Sequence, residues 1–547
     1  MTSSKKDSDQ SKGDGRFDRR AFLQRLALAS AAAGGAATTL NAAAASARSR
    51  PVIHLYMDEF SLDAAGDAEI DPLDLTIAQA AVRIRNGSLT PVDLVERFLA
   101  RIATFDDTYQ AWNTVLADQA LQRARRVNVG PRQPALTGIP IAVKDNFFTN
   151  GVLTTANSFI FQDFRPTFDA TVVTRLLRSG GIVLGKTQMG PLATTRATTP
   201  DGVITTVNAW TPDNPAVYPG GSSTGSATAV AGRMATVGIG TQTGGSITVP
   251  AQCQGLTGLK PTLGRCSLFG VIPLSYTRDH PGPLARDVKD AAIMLQSMAG
   301  ADPNDLRTLG LPPVPDLVKA ATPVRRKGRV SCRWPTRLGV PADYLAGTDR
   351  ESELRRNMVD TLANTGIEVV DIRLPDEWSL LSDYAFNSVR LPERSEQFLE
   401  YLRDDLKLFG VSLATWMQGL FVGGDEYVRG QRAKLLLAEL AFSDVFAECD
   451  VVLTEEADPF DIIGFPLLAF PIGMVMDAKA GTLLPAGALL AGQPYAEDRL
   501  CAVGAAFQAV TSHHRLRPPD PAPPPTNTRS GSRRLRLSLA EVERTGA

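Results

Sequence analysis

The sequence predicts an α/β sandwich, because short β-type runs alternate with Gly-rich turns and helices between residues 138 and 290. GIPIAVKD, GGIVLGKT and MATVGIGT are typical of strands, and SATAVAGRMA predicts a helix of very small side chains. The 547 residues are 44% hydrophobic and 21% charged, which is ordinary for a soluble globular protein. The net charge of -1 gives no field of one sign that would favour nucleic acid or an acidic membrane surface.

The N-terminus has the pattern of an export signal. A charged segment leads into the pair Arg19–Arg20 and then into a weakly apolar, alanine-rich run that is too interrupted for stable membrane insertion. This order is typical of a twin-arginine signal peptide with a cleavage site at Ala45–Ala47. We therefore expect a signal over residues 1–47, an N-terminal extension over 48–72 and a periplasmic or extracellular location. The alternative is a basic tail before an alanine-rich helix.

Helical spacing dominates on both sides of this α/β region. Residues 73–106 have helical apolar spacing, and Thr90 followed by Pro91 predicts an N-cap and first position of a helix. Residues 311–335 are Pro- and Arg-rich and predict a connection, whereas residues 349–446 are mostly helical around a strand-like GIEVVDIRL.

The C-terminal part returns to strands before it ends in a tail. CDVVLTEE and FPLLAFPIG have strand character. Residues 516–547 are Pro-rich and basic, and they predict a flexible tail because such a composition buries little apolar surface. The five cysteines are scattered and show no CxxC or Cys/His ligand spacing, so we expect no metal site.

Two short motifs compete for the function and lack their required context. Gly180–Thr187 has the spacing of a phosphate-binding loop, but its centre is itself strand-like and a helix-like segment precedes it. Gly221–Gly225 matches the serine elbow G-x-S-x-G around Ser223, but a loop precedes it where a strand is required. The chain has four histidines, and His280 is the nearest downstream base in sequence.

A third set of segments agrees in order and spacing. GIPIAVKDN contains Lys144, GGSSTGSA contains Ser222, and GTQTGGSI contains Ser246. Together with GLKPTLGR and DHPGPLARDVKDAA, they resemble the amidase signature family of serine amidohydrolases, most strongly over residues 135–303. The resemblance implies a single α/β/α sandwich domain around a large mixed sheet, here residues 73–515. It also implies that the helices of residues 349–446 help to line the substrate funnel.

The resemblance implies a Ser–Ser–Lys relay without cofactor or metal. Serine is a weak nucleophile and needs a base, and a lysine can serve only when it is neutral. Lys144 ends an apolar run, so burial is expected to lower its pKa. The chain has 12 lysines and 45 arginines, so lysine is not its default cation. A lysine with a solvated ammonium at a strand end is the alternative.

The other implied roles fall on two glycine-rich segments. Ser222 would follow a cis peptide bond and carry the proton between Lys144 and Ser246. Ser246 would attack the amide and form an acyl-enzyme. The backbone N–H groups of Thr243, Gly244, Gly245 and Ser246 would form the oxyanion hole. In addition, Ser222 or Ser223 is a candidate N-cap of the helix that follows.

The sequence departs from the common family form G-T-D-T-G-G-S-I-R at two positions around the nucleophile. Gln242 replaces the acidic residue and Thr248 the basic one, and Asp461 stands near a position that is usually Asn. Our hypothesis is that the two charges were replaced together by neutral hydrogen-bonding groups, because losing both partners costs less than losing one. A weakened or inactive enzyme is the alternative.

The sequence thus predicts an exported, cofactor-independent hydrolase of a small-molecule amide. The substrate class stays open between aryl amides, peptide amides and related esters. Two alternatives also remain: a weakened family member that binds a small molecule, and an amidotransferase-like subunit. Formation of a homodimer is left open.

Overall fold

An eleven-stranded mixed β-sheet forms the centre of the fold. The computed structural model describes residues 70–130 and 132–522, so the predicted export signal lies outside the described residues. The strands of the sheet run in the order β1-β3-β2-β4-β6-β5-β12-β13-β11-β9-β10, and β7 and β8 form a separate hairpin. The strands are β1 (Trp112–Val115), β2 (Pro140–Lys144), β3 (Ile182–Thr187), β4 (Val237–Gln242), β5 (Thr257–Lys260), β6 (His280–Ala285), β7 (Val324–Arg326), β8 (Arg329–Ser331), β9 (Arg337–Pro341), β10 (Glu368–Ile372), β11 (Val451–Thr454), β12 (Leu467–Asp477) and β13 (Thr482–Gly492).

Helices alternate with these strands and dominate the segment between β10 and β11, as the sequence predicts. The large mixed sheet with its helices confirms the α/β sandwich. The α-helices are α1 (Ile77–Arg85), α2 (Pro91–Tyr109), α3 (Ala117–Arg126), α4 (Thr171–Arg178), α5 (Thr224–Ala231), α6 (Thr248–Gln254), α7 (Val288–Met298), α8 (Leu317–Ala320), α9 (Arg350–Asn364), α10 (Trp378–Glu396), α11 (Leu399–Asp404), α12 (Leu413–Leu420), α13 (Gly424–Leu440), α14 (Asp458–Ile463) and α15 (Glu497–Gln508).

The parallel strands β3, β2 and β4 bring the predicted site residues to one edge of the sheet. β2 pairs in parallel with both neighbours, and every residue of the three strands is buried. Lys144 is the last residue of β2, and the GGS turn follows the end of β4 at Gln242. Because the carboxyl ends of parallel strands meet at the same edge, the lysine and the turn lie close together.

The helix of small side chains forms, although it is shorter than predicted. All residues of α5 are buried, and a Cβ on Gly225 would lie 2.5 Å from the carbonyl oxygens of Ala111 and Gln188. Glycine is therefore required where this helix approaches neighbouring backbone. The helix ends at Ala231 rather than at residue 235, because Arg233 adopts a left-handed conformation with φ of 61°.

Helix α2 begins as the sequence predicts. The N–H of Asp93 donates to the Thr90 hydroxyl at 3.0 Å, and Pro91 occupies the first helical position. This capping arrangement satisfies backbone donors that have no partner within the helix.

Two hairpins were missed by the sequence analysis. The predicted connection over residues 311–335 contains α8 and the β7–β8 hairpin, which turns through Lys327 and Gly328 with φ of 48° and 78°. Positive φ at both residues is typical of the two-residue turns that suit strand twist. FPLLAFPIG is only the first part of β12, which pairs along its length with β13.

The described residues include a short segment beyond the predicted domain end at residue 515. The Arg517 guanidinium contacts Asp74 at 3.2 Å, and Asp520 contacts Arg233 at 3.1 Å. These ion pairs hold Arg517 and Asp520, which lie within the predicted tail, against the domain. The remaining residues of the tail lie outside the described part.

Among the described residues, no single helix is long and apolar enough to cross a bilayer. The bent pair of segments 406–420 and 424–445 reaches that length and apolarity only when the two are taken together. The five cysteines are free thiols.

Candidate active site

Lys144 is buried among oxygen atoms at the end of β2. Its side chain is 0% exposed, and its Nζ lies 2.8 Å from Ser222 Oγ, 3.1 Å from Ser223 Oγ and 2.9 Å from Thr241 Oγ1. Ser223 Oγ also donates to the Thr241 carbonyl at 3.3 Å, so it can accept from the amine. A neutral Lys144 can therefore donate to Ser223 and Thr241 while accepting the hydroxyl proton of Ser222.

Burial favours this neutral form of the amine. It lowers the pKa of Lys144 from 10.5 to about 7, and the Asp279 carboxylate opposes the change. The hydrogen-bond partners of the amine are hydroxyl and carbonyl oxygens rather than a carboxylate. A substantial fraction of the amine is consequently unprotonated near neutral pH, as a base requires.

Ser222 and Ser223 both face Lys144. The peptide bond between Gly221 and Ser222 is cis, in agreement with the geometry that the resemblance implies. Ser223 occupies the N-cap position of α5, but its side chain makes no capping hydrogen bond. The cap predicted for Ser223 is therefore wrong, because its hydroxyl is bonded to Lys144 and Thr241 instead.

Ser246 lies directly beside this pair. Its carbonyl accepts the N–H of Ser223 at 3.3 Å, and its side chain is 5% exposed. The structure thus brings together Lys144, Ser222 and Ser246 from three separate segments of the chain.

One of the four predicted oxyanion donors is committed elsewhere. The Gly245 N–H donates to Asp461 Oδ2 at 2.7 Å, so it cannot also point toward a substrate oxygen. Gly245 has φ of 76°, a left-handed conformation that favours glycine at this position. The prediction is corrected at this position, and the N–H groups of Thr243, Gly244 and Ser246 remain the candidates.

Gln242 and Thr248, the two unusual residues, contact each other. The Thr248 hydroxyl donates to Gln242 Oε1 at 3.2 Å, and the same oxygen accepts the N–H of Ile247 at 2.8 Å. The amide nitrogen of Gln242 donates to both oxygens of Asp461 at 2.9 Å. Neutral groups therefore do support each other here, and an aspartate restored at position 242 alone would face Asp461.

Asp279 holds the turn from its other side, a role that the sequence analysis missed. Thr243 Oγ1 donates to Asp279 Oδ1 at 2.5 Å, and the N–H groups of Leu274 and Ser275 donate to Oδ2 at 2.7 and 3.0 Å. Burial raises the pKa of Asp279, and these donors oppose the rise. The sequence signal was its place at the start of DHPGPLARDVKDAA.

Gly244 lies against side chains from α10 and α14 that form one side of the candidate site. A Cβ at Gly244 would lie 3.1 Å from the Phe386 ring on α10 and 3.3 Å from Asp458 Oδ1. The Arg278 guanidinium lies over the same ring, 4.5 Å from its centre. Burial and the nearby Asp461 raise the pKa of Asp458 to about 6. Residues 349–446 thus contribute to the site, and no local pattern marked Phe386 or Asp458.

The two competing motifs have other roles. Lys186 lies within β3 and pairs with Asp145 at 3.2 Å, and both side chains are 0% exposed. A lysine in the interior of a strand cannot cradle a phosphate. His280 is buried with its Nδ1 3.3 Å from the Gln242 carbonyl, and burial lowers its pKa well below 6.5. Within the described residues, three or more His, Cys, Asp or Glu side chains nowhere gather as a metal site.

The arrangement can support acyl transfer to a serine. A buried amine with a lowered pKa, two serine hydroxyls in contact with it and a neighbouring glycine turn are parts that such a reaction needs. The class of protein that this fold and site define is a candidate acyl-transfer enzyme.

Comparison with known proteins agrees. The family model "Amidase" matches residues 93–417, and the chain belongs to the amidase family. It is 32% identical to the A subunit of the glutamyl-tRNA(Gln) amidotransferase of Geobacter metallireducens over 490 residues, covering 81% of this chain and 98% of the relative.

Two solved structures share the fold. The peptide amidase of Stenotrophomonas maltophilia is 28% identical with a TM-score of 0.66, covering 85% of this chain and 100% of the other. The A subunit of the glutamyl-tRNA(Gln) amidotransferase of Thermotoga maritima has a TM-score of 0.65 at 24% identity, covering 82% and 97%. The second likeness concerns the fold alone.

Proposed function

We propose that the protein is a serine amidohydrolase that cleaves a small-molecule amide to an acid and an amine or ammonia. The observation that carries the proposal is the contact of 2.8 Å between Lys144 Nζ and Ser222 Oγ, made by a lysine whose pKa is lowered to about 7. A relay of this kind has a use only if a further hydroxyl is to lose its proton. Ser246 is proposed for that role because its backbone carbonyl accepts the N–H of Ser223 at 3.3 Å, next to Ser222.

The reaction follows from these positions. Ser246 Oγ attacks the carbonyl carbon, and its proton passes through Ser222 to Lys144. The N–H groups of Gly244 and Ser246, with that of Thr243, stabilise the negative oxygen of the tetrahedral intermediate. The carbon–nitrogen bond then breaks, and the leaving nitrogen takes the proton from Lys144 through Ser222. Water attacks the acyl-enzyme by the same route in reverse, which releases the acid and restores Ser246.

A hydrolysis screen tests this function. Purified protein is incubated with aryl amides, aliphatic amides and C-terminally amidated peptides, and the release of amine or ammonia is measured. We expect turnover of at least one class, with esters of the same acids cleaved as well, because both share the acyl-enzyme. Failure of every class, with no reaction of the folded protein with a fluorophosphonate, would favour the alternative of a small-molecule binding protein.

An amidotransferase-like subunit is the second candidate, because the likeness to the Geobacter relative covers 98% of that protein. Such a subunit would release ammonia from glutamine and pass it to a partner. Glutamine therefore belongs in the screen. Turnover of glutamine alone, with none of the other amides cleaved, would favour this candidate over an independent amidase.

We also propose that the chain is exported by the twin-arginine route, on the evidence of Arg19–Arg20 and the run that follows. Replacing both arginines with lysine should retain the protein in the cytoplasm of a bacterial host. Unchanged fractionation of that variant would argue against export by this route.

A further inference from the structure

The side-chain amide of Gln242 has a fixed orientation, because its oxygen binds the backbone at the start of α6 and its nitrogen binds Asp461. Its Oε1 accepts the N–H of Ile247 at 2.8 Å and the N–H of Thr248 at 2.9 Å, both at the start of α6. Because two backbone donors fix the oxygen, the nitrogen must face the other way. It donates there to both oxygens of Asp461 at 2.9 Å.

Asp461 extends this connection to the other side of the nucleophile. Its Oδ2 accepts the N–H of Gly245 at 2.7 Å, and its Oδ1 lies 3.1 Å from Lys260 Nζ on β5. Gln242, Lys260 and Asp461 are all 0% exposed. The residues before and after Ser246 are therefore held by one continuous set of buried hydrogen bonds.

We propose that Gln242 and Asp461 form a matched amide–carboxylate pair that positions the Ser246 turn for attack, with Lys260 as the counter-charge. This inference rests on the proposed function. Gly245 N–H donates to Asp461 and Ile247 N–H donates to Gln242, so the backbone is fixed on both sides of Ser246. Neither Gln242 nor Asp461 touches the reacting atoms, so both are positioning residues.

Positions 242 and 461 can form this hydrogen-bonded pair when one carries an amide and the other a carboxylate. Glutamate at position 242 would set two acceptors and two negative charges against each other. Asparagine at position 461 would set two NH₂ groups against each other and leave Lys260 without its anion. When both changes are made, the amide donor introduced at position 461 faces the carboxylate introduced at position 242, and the negative charge stays within the same buried group.

A double-mutant cycle tests the pair on the full chain. We expect Gln242→Glu and Asp461→Asn each to lower kcat by about 30-fold or more, with KM changed less than about threefold, because the turn acts on the transition state. The double variant should recover at least about tenfold over either single variant, which is the coupling expected of direct partners. Fluorophosphonate titration of Ser246 corrects each rate for the fraction of competent protein.

Each outcome decides between the possibilities. If the losses of the two single variants add in the double variant, the pairing is wrong. If the unaltered protein cleaves no amide and takes up no fluorophosphonate, the proposed function itself fails; if it is active without recovery in the double variant, only this inference fails.

If Gln242→Glu or Asp461→Asn does not fold, a milder variant that keeps the charges of Asp461 and Lys260 tests the proposal. Thr248→Val removes the hydroxyl that donates to Gln242 Oε1 at 3.2 Å and lies 3.4 Å from the Gly245 carbonyl. We expect its kcat to fall by about threefold with KM unchanged, in proportion to one weak hydrogen bond. An unchanged kcat in this folded variant would overturn the positioning role.

Discussion

Ser246→Ala is expected to abolish amide hydrolysis, with kcat lowered by about 10⁴-fold or more, because no acyl-enzyme can form without the hydroxyl. Labelling by a fluorophosphonate should disappear in the same variant. The measurements are product release under substrate excess and mass spectrometry of the labelled chain. Binding of the substrate should persist, since the change removes one oxygen and leaves the walls of the site in place.

Ser226→Ala is the matched control for this experiment. Ser226 is also a buried serine, and its hydroxyl bonds to Thr187 Oγ1 at 2.7 Å and to the Ile239 carbonyl at 3.0 Å, outside the proposed relay. We expect this variant to keep labelling at Ser246, with a modest loss of stability. Retained hydrolysis in Ser246→Ala would refute its role as nucleophile and direct attention to Ser223.

Lys144→Met is expected to lower kcat/KM by about 10²- to 10⁴-fold, which is the usual contribution of a general base. In the unaltered protein, kcat/KM should rise with pH through about 7, as Lys144 loses its proton. The rise should be absent from the residual rate of the variant. A pH profile of both proteins between pH 5.5 and 9, about 1.5 units below and 2 units above that pKa, makes the comparison.

The same substitution should stabilise the fold. The pKa of Lys144 is lowered from 10.5 to about 7, so between these values the unfolded chain binds more protons than the folded chain. The free energy of unfolding therefore rises with pH across this window. Below pH 7, the folded protein carries the full energetic cost of burying the protonated Lys144 amine. After the lost hydrogen bonds are deducted, we expect a gain of about 1–3 kcal/mol in the variant at pH 6, shrinking toward pH 9.

Lys186→Met provides the contrast. Lys186 is equally buried, but it pairs with Asp145 at 3.2 Å, and its removal leaves that carboxylate without its cation. We expect a loss of about 3–5 kcal/mol in urea unfolding, opposite in sign to the change at Lys144. Equal losses in both variants would mean that Lys144 is a paired, charged lysine and not the base.

The local parts of the fold were predictable because their signals are short-range. Thr90 and Pro91 mark the start of α2, and the apolar runs that became β2, β3 and β4 stand between glycine-rich turns. The β7–β8 hairpin escaped because Lys327 gives no sign of its positive φ. The second half of β12 escaped because its pairing with β13, which makes it a strand, is a tertiary contact.

The candidate site was predictable in its residues and less so in their contacts. Lys144, Ser222 and Ser246 carry recognisable surroundings, and folding brings their three segments into contact. Their catalytic roles stay a prediction. Gly245 was predicted as an oxyanion donor, yet its N–H is taken by Asp461, which lies 216 residues further along the chain. No local pattern can reveal that a backbone donor is already occupied.

By itself, the sequence determined the family, the strands that surround the candidate site and the glycine-rich turn around Ser246. The sequence also proposed Lys144 as the base, but only the tertiary structure showed how its surroundings differ from those of two other buried lysines. Lys144, Lys186 and Lys260 are all completely buried, but Lys186 and Lys260 have carboxylates at 3.2 and 3.1 Å, whereas Lys144 has hydroxyl partners. Burial lowers the pKa of each amine, and a neighbouring carboxylate opposes that effect. The distance to a charge is set by folding, so the sequence can propose Lys144, but only the structure shows that hydroxyl and carbonyl oxygens surround its amine where the other two lysines have a carboxylate.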